Sequence, residues 1–212
     1  MKIVYRANEA ISRELLSHTL PPGGHWVPVD AIDQFRQHHD ADLFLDLEND
    51  EPGLTDYEAL SPTIVLVNAV TITLQTTGAS TNVCRINAWP GMLIKPVLEI
   101  AVTDQNSRAA LERTLTALQW KYSIVPDLAG FVSARIISMI INEAYFALGE
   151  GVSNKENIDI AMRTGTNYPY GPFEWAKKIG LQRVHHLLLQ MEKENDRYSI
   201  APALLEELEQ PA

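Results

Sequence analysis

The chain has 212 residues, 46% of them apolar, which is enough for one large domain or two small ones with proper cores. Its 27 acidic residues outnumber 17 basic ones for a net charge of -10, and there is no run of Lys and Arg, so nucleic acid and anionic membrane surfaces are poor partners. A single cysteine, Cys84, excludes an internal disulfide and fits a reducing compartment, where it reads as a small buried hydrophobe. The opening MKIVYRANEAISREL lacks the apolar stretch of a secretory leader, and the longest apolar run, Ile136 to Ile141, is too short to span a bilayer. A cytoplasmic protein with an acidic surface is expected.

The first half carries short apolar runs. KIVYR (Lys2 to Arg6) starts the chain as a brief strand, and ANEAISRELLSH follows as a helix. SHTLPPGG then reads as turn, with Gly23 and Gly24 after two prolines, and AIDQFRQHH as a second helix. ADLFLDL (Ala41 to Leu47) and TIVLVNAV (Thr63 to Val70) are nearly continuous in Val, Ile, Leu and Phe, as suits strands covered on both faces of a parallel sheet. NVCRINAW (Asn82 to Trp89) and PVLEIAVT (Pro96 to Thr103) give two further strands, and Gln105 to Trp120 a helix with Ser107 as its cap. This alternation predicts a doubly wound α/β sheet over residues 1–125.

From Pro126 the pattern becomes all-helical, over residues 126–212. Pro126 to Gly151 reads as one long helix, apolar around most of its circumference and ending at Gly149 or Gly151. The next helix starts from Ser153, with Glu156 completing a capping box. Pro172 sits just inside another helix start, where its missing N–H costs nothing, and SIAPALLEELEQ closes the chain as a short helix. The stretch GTNYPYGPFEWAKKIGL crowds glycines, prolines and rings before that Pro172 helix. A rigid turn is expected there, with Gly165 and Gly171 supplying unusual backbone angles.

The spaced motifs of this half resemble the C-terminal domain of the 3-hydroxyacyl-CoA dehydrogenase family. They are Gly130-Phe131, Asn142-Glu143-Ala144, Glu150-Gly151, Ile158 to Met162, Pro169 to Glu174, and RYSIAPALLEEL from Arg197. The resemblance implies a Rossmann-like parallel sheet domain followed by a helical domain that makes a homodimer contact. The α/β part resembles the family more loosely and looks reduced. After KIVY comes RANEAISREL, without the glycines that let a backbone approach a dinucleotide pyrophosphate, and with Glu9 to repel phosphate. Between Leu15 and Ala41 the chain is also too short for the two strands the family places there. No cofactor-binding residue is therefore assigned, and no NAD is expected unless an active oxidoreductase of fatty acid metabolism holds despite these departures.

The same resemblance sets the site residues. The family's acid–base His corresponds to Asn87, and the Glu that orients it to Glu99. An amide donates a hydrogen bond but exchanges no proton near neutral pH, and losing a positioned acid–base group costs about 10²–10⁴-fold in rate. A family Asn on the long helix corresponds to Ala134; Asn68 is kept in the family's substrate loop, where Val70 replaces a Ser and Thr71 is a neighbouring substitute. The plain alternatives are an outward-facing strand Glu99 and loop-satisfying Asn87 and Asn68. His38-His39 and His185-His186 lack metal-ligand spacing, His25 has no local support, and Trp89, Trp175 and Tyr170 read as packing residues, so no metal is assigned. Two readings follow: a dehydrogenase relative with lost or reduced activity that binds an acyl-CoA or small acyl ligand, or a divergent active enzyme.

Overall fold

Alternate residues of each apolar run in the first half point to opposite faces of one sheet. A computed structural model of the chain describes residues 1–48 and 57–210. These divide into two units, Met1–Phe131 and Val132–Ala212. In the first unit the strands are β1 (Lys2–Arg6), β2 (His25–Pro28), β3 (Leu43–Asp46), β4 (Val65–Asn68), β5 (Val83–Ile86), β6 (Leu98–Ala101) and β7 (Tyr122–Ile124). Among the described residues they form one sheet of order β2-β1-β3-β4-β5-β6-β7. Every pairing is parallel except β5 with β6.

Ile3, Tyr5, Leu43, Leu45, Leu66, Cys84 and Ile86 face one side. There they meet Ile11 and Leu15 of helix α1 (Glu9–Leu15), and Leu111 and Leu115 of α3 (Gln105–Ala117), which follows the short α2 (Leu74–Thr77). Val4, Phe44, Val65, Val67 and Val83 face the other side, under Phe35, Tyr57 and Leu74. Among the described residues, 3₁₀ turns and the four-residue α2 lie on that second face. Each fully buried Leu, Ile or Phe contributes roughly 1.5–3 kcal/mol, so both layers matter to stability.

Several local expectations are corrected. Residues 31–39 form a 3₁₀ turn, Ile32–Gln37, because only Ile32 and Phe35 face inward and a longer helix would bury polar residues. The segment between Leu15 and Ala41 does hold a strand, β2; HWVP was passed over because it is short, ends in Pro and lies at the sheet edge. The cap of α3 is Asp104, whose carboxylate accepts from Ser107 N at 2.8 Å; Ser107 itself lies in the first turn.

The second unit is helical: α4 (Ser133–Gly149), α5 (Lys155–Thr166), α6 (Pro172–Ile179), α7 (Leu181–Glu194) and α8 (Pro202–Glu209). The long helix thus begins at Ser133 and not at Pro126. Gly130 and Phe131 have positive φ, 86° and 51°, and break the helix before it starts. Helix α4 packs against α6, α7 and α8. Ile137, Ile141, Ala144 and Tyr145 on α4, Phe173 and Ile179 on α6, and Val184, Leu187 and Leu188 on α7 are all buried. Asn142 Nδ2 donates to Ser199 O and its Oδ1 accepts from Ala201 N, both at 2.9 Å, fixing the chain before α8. The cap of α5 is Asn154 in place of Ser153, its side chain accepting from Asn157 N at 2.9 Å.

The Gly- and Pro-rich turn also differs in its physical basis. Gly165 lies inside α5, and Gly171 has an ordinary φ of -72°. The left-handed residues of this stretch are Asn167 at φ 57° and Gly180 at φ 99°. Among the described residues no helix is long and apolar enough to cross a membrane.

Candidate functional site

The polar residues of the first unit gather at the carboxyl ends of its strands. Asn68 ends β4 and is buried; its Nδ2 donates to Leu47 O at 3.3 Å and its Oδ1 accepts from Ala88 N at 3.1 Å. It therefore ties the chain leaving β3 to the chain leaving β5. Asn87 follows β5, is also buried, and donates from Nδ2 to Glu99 Oε2 at 3.0 Å. The backbone repeats the contact, with Asn87 N donating to Glu99 O at 3.0 Å. Antiparallel pairing of β5 and β6 is what brings these two residues together, because it lays the start of β6 beside the end of β5. Thr71 lies half-buried in the turn after β4.

Lys95, in the segment between β5 and β6, joins this region. It is half-buried, and burial lowers its amine pKa while the nearby Glu99 charge opposes that shift. Its neighbours Ile94 and Val97 are exposed apolar residues. The site thus combines an amide, a carboxylate and an amine beside an apolar rim. It can orient an oxygen by hydrogen bonding, and the amine is its group that carries a transferable proton.

Three charged residues inside apolar runs were passed over in the sequence, and each proves structural or site-defining. Arg6 and Asp46 end β1 and β3 and are register partners. The guanidinium forks onto the buried carboxylate, Nε to Oδ1 at 2.8 Å and Nη2 to Oδ2 at 3.1 Å. Arg85 on β5 is fully buried; it donates to Ala69 O at 2.7 Å and Val70 O at 3.2 Å, pairs with Asp127, and lies 4.5 Å from the Phe131 ring centroid. Burial works against its charged form and Asp127 opposes that effect. A charge interrupting an otherwise apolar strand was the available signal, since such a residue has to find a partner when buried.

The remaining candidates sit elsewhere. Trp89 and Trp175 are buried, and the Tyr170 and Trp175 rings meet edge to face at 4.8 Å. His25 is exposed; His185 is lowered in pKa by burial and then by His186. Among the described residues no group of three His, Cys, Asp or Glu side chains is placed to hold a metal ion.

This architecture is a doubly wound α/β unit with polar groups at its strand ends, joined in sequence to a helical unit of defined motif order. Residues 130–210 match the family described as 3-hydroxyacyl-CoA dehydrogenase, C-terminal domain. That helical part carries the chain's likeness to the 3-hydroxyacyl-CoA dehydrogenase family. It is 40% identical over 107 residues to 3-hydroxyadipyl-CoA dehydrogenase of Escherichia coli K12, covering 48% of this chain and 22% of that protein. It is 26% identical over 213 residues to 3-hydroxybutyryl-CoA dehydrogenase of Clostridioides difficile, covering 92% and 72%. The solved (S)-3-hydroxybutyryl-CoA dehydrogenase PaaH1 from Ralstonia eutropha has the same fold, with a TM-score of 0.67 at 20% identity over 86% of this chain and 69% of that one. The matched regions span only about a fifth to a third of the length of the first curated relatives.

Proposed function

We propose that the chain is a 3-hydroxyacyl-CoA dehydrogenase relative that has lost most or all dehydrogenase activity and serves as a binding or scaffold protein for an acyl-CoA or similar acyl ligand. The observation that carries this reading is the Asn87–Glu99 contact at 3.0 Å. It keeps the side-chain pair that the family resemblance implies while replacing the imidazole by an amide, which orients an oxygen but relays no proton.

The start of the fold supports the same reading for the coenzyme. A dinucleotide requires close backbone approach between β1 and α1, with free N–H groups at the helix start. Here Ala7, Asn8 and Glu9 occupy that turn, and Asn8 Oδ1 already accepts from Ile11 N at 3.0 Å. Glu9 adds a negative charge in the first turn. These residues do not fit a bound NAD in the family's manner.

The helical unit is the proposed homodimer surface. Val132 and Ile136 are 49% and 53% exposed one turn apart, with Met139 and Ile140 half-buried beside them. Obligate dimers bury on the order of 2,000 Å² or more, and an apolar stripe of this kind suits such an interface.

The alternative is a divergent but active oxidoreductase. It is favoured by one observation, the half-buried Lys95 amine beside Glu99, which gives the site a proton donor in place of the missing imidazole. Fluorescence titration with NADH, followed by assay of acetoacetyl-CoA reduction, separates the two. The expected result is no saturable NADH response and no turnover, in the natural chain and in Asn87→His alike. NADH-dependent turnover that Lys95→Met abolishes would establish the active reading instead.

A further inference from the structure

We infer that the ligand crevice at the sheet's switch point is closed by the protein itself, through a clamp of Arg6, Asp46 and Tyr57 that stands where a dinucleotide would lie. The inference rests on the reading of this chain as one that does without the coenzyme, and adds what replaces it. Strand β1 has β2 on one side and β3 on the other, so the strand order reverses there. Open α/β sheets take their ligands outside the carboxyl ends of the strands at such a reversal. Arg6 and Asp46 are the last residues of β1 and β3 and face each other in register.

Both oxygens of the carboxylate are engaged. Asp46 is 0% exposed, and its Oδ1 takes Arg6 Nε at 2.8 Å. Its Oδ2 takes Arg6 Nη2 at 3.1 Å and the Tyr57 hydroxyl. Arg6 Nη1 turns toward Glu48 at 3.9 Å. Leu47 N donates to Arg6 O at 2.8 Å, continuing the ladder past the ion pair. A diphosphate entering here would have to take the guanidinium from Asp46 and strand a fully buried carboxylate. That exchange opposes binding, because a buried charge robbed of its partner is far costlier than the pair is favourable. In the absence of a ligand the same contacts hold the ends of β1 and β3 together.

Thermal unfolding of the full chain tests this. Arg6→Met leaves Asp46 buried and unpaired, so its Tm should fall by roughly 10 °C. The double variant Arg6→Met/Asp46→Leu removes both charges and should recover at least half of that loss. A double variant that unfolds no later than Arg6→Met would refute the clamp without touching the proposed function. Tyr57→Phe is the mild variant should the others not fold. It should cost a few degrees in the natural chain, and an unchanged Tm would refute the clamp. Millimolar NADH or inorganic pyrophosphate should leave the natural chain's Tm unmoved. A saturable rise with pyrophosphate alone would mean that Arg6 is free to take phosphate, and overturns the clamp only. A saturable rise with NADH overturns both the clamp and the coenzyme-free reading.

Discussion

Asp159 on α5 and Gly171 at the start of α6 share a space too small for one more carbon. A Cβ placed on Gly171 falls 2.3 Å from Asp159 Oδ1 and 2.4 Å from Asp159 Cβ. The closeness has a purpose: the Asp159 carboxylate accepts from Phe173 N at 2.8 Å and Glu174 N at 3.2 Å, capping α6 from a neighbouring helix. Glu174 folds back onto Gly171 N at 2.8 Å and pairs with Arg163 at 2.6 Å. Gly171→Ala should therefore displace the capping helix and cost about 3 kcal/mol, measured by urea unfolding. A loss under about 0.5 kcal/mol would show that the two helices separate freely.

Arg85 should be the most sensitive charge in the first unit. It is 0% exposed and gathers Ala69 O, Val70 O and Asp127 at once. Gly130 N donates to Val70 O at 2.7 Å, so the same spot anchors the segment that ends the unit. Arg85→Met removes the side-chain donor to Ala69 O and Val70 O and the cation facing Asp127, and should cost about 3–5 kcal/mol. Arg85→Lys should rescue little, because an ammonium lacks the planar fork that reaches three acceptors. Full stability of the Lys variant in chemical denaturation would contradict this.

The central strands were legible because their side chains are apolar on both faces, a pattern that composition alone displays: Leu43–Asp46 and Val65–Asn68 lie inside the runs read as strands. Edge strands β2 and β7 were missed because HWVP and YSI are short and half exposed, so no apolar run announces them. Helix starts were displaced for a related reason. Ser107 and Ser153 are capping residue types, yet Asp104 and Asn154 lie nearer the start with side chains able to reach the third N–H. The Asn87–Glu99 pairing was legible only through family resemblance, since an antiparallel step between β5 and β6 leaves no local mark. Arg6, Asp46, Arg85 and Asp127 stayed hidden because the partners of a buried charge are set by register and loop path, not by spacing.

Cys84 should be inert in the folded chain. Its side chain is buried on the α1 and α3 face of the sheet. Burial, and after it the charge of Asp104, pushes its pKa up from 9.0 to about 12. A raised folded-state pKa favours the folded chain fully below the unfolded value, and this contribution fades as pH climbs from about 9 toward 12. Tyr145, raised by burial and then by Glu207, acts in the same direction. Stability should accordingly fall across that alkaline window. Iodoacetamide at pH 8 should label the thiol only after denaturant is added. Rapid labelling of the native chain would place the thiol at the surface.

Asn87→Asp gives the sharpest test of the candidate site. It sets a second carboxylate against Glu99 Oε2, where the Asn87 amide now donates at 3.0 Å. Two carboxylates that close cannot both ionise without cost, so one of the pair must titrate above its unfolded value of about 4. A folded-state pKa raised in this way confers stability present below about pH 4 and lost as pH rises through the shifted value. The variant should therefore approach the natural chain's stability near pH 3.5 and fall behind it by about 1–3 kcal/mol at pH 7.5. Asn87→Leu, which adds no charge, supplies the control: it loses the amide's hydrogen bonds, including the one to Glu99, and its deficit should grow between those two pH values by much less than that of Asn87→Asp. A pH-independent deficit in Asn87→Asp would mean that the two side chains do not meet, removing the geometric basis for a site at the ends of β5 and β6.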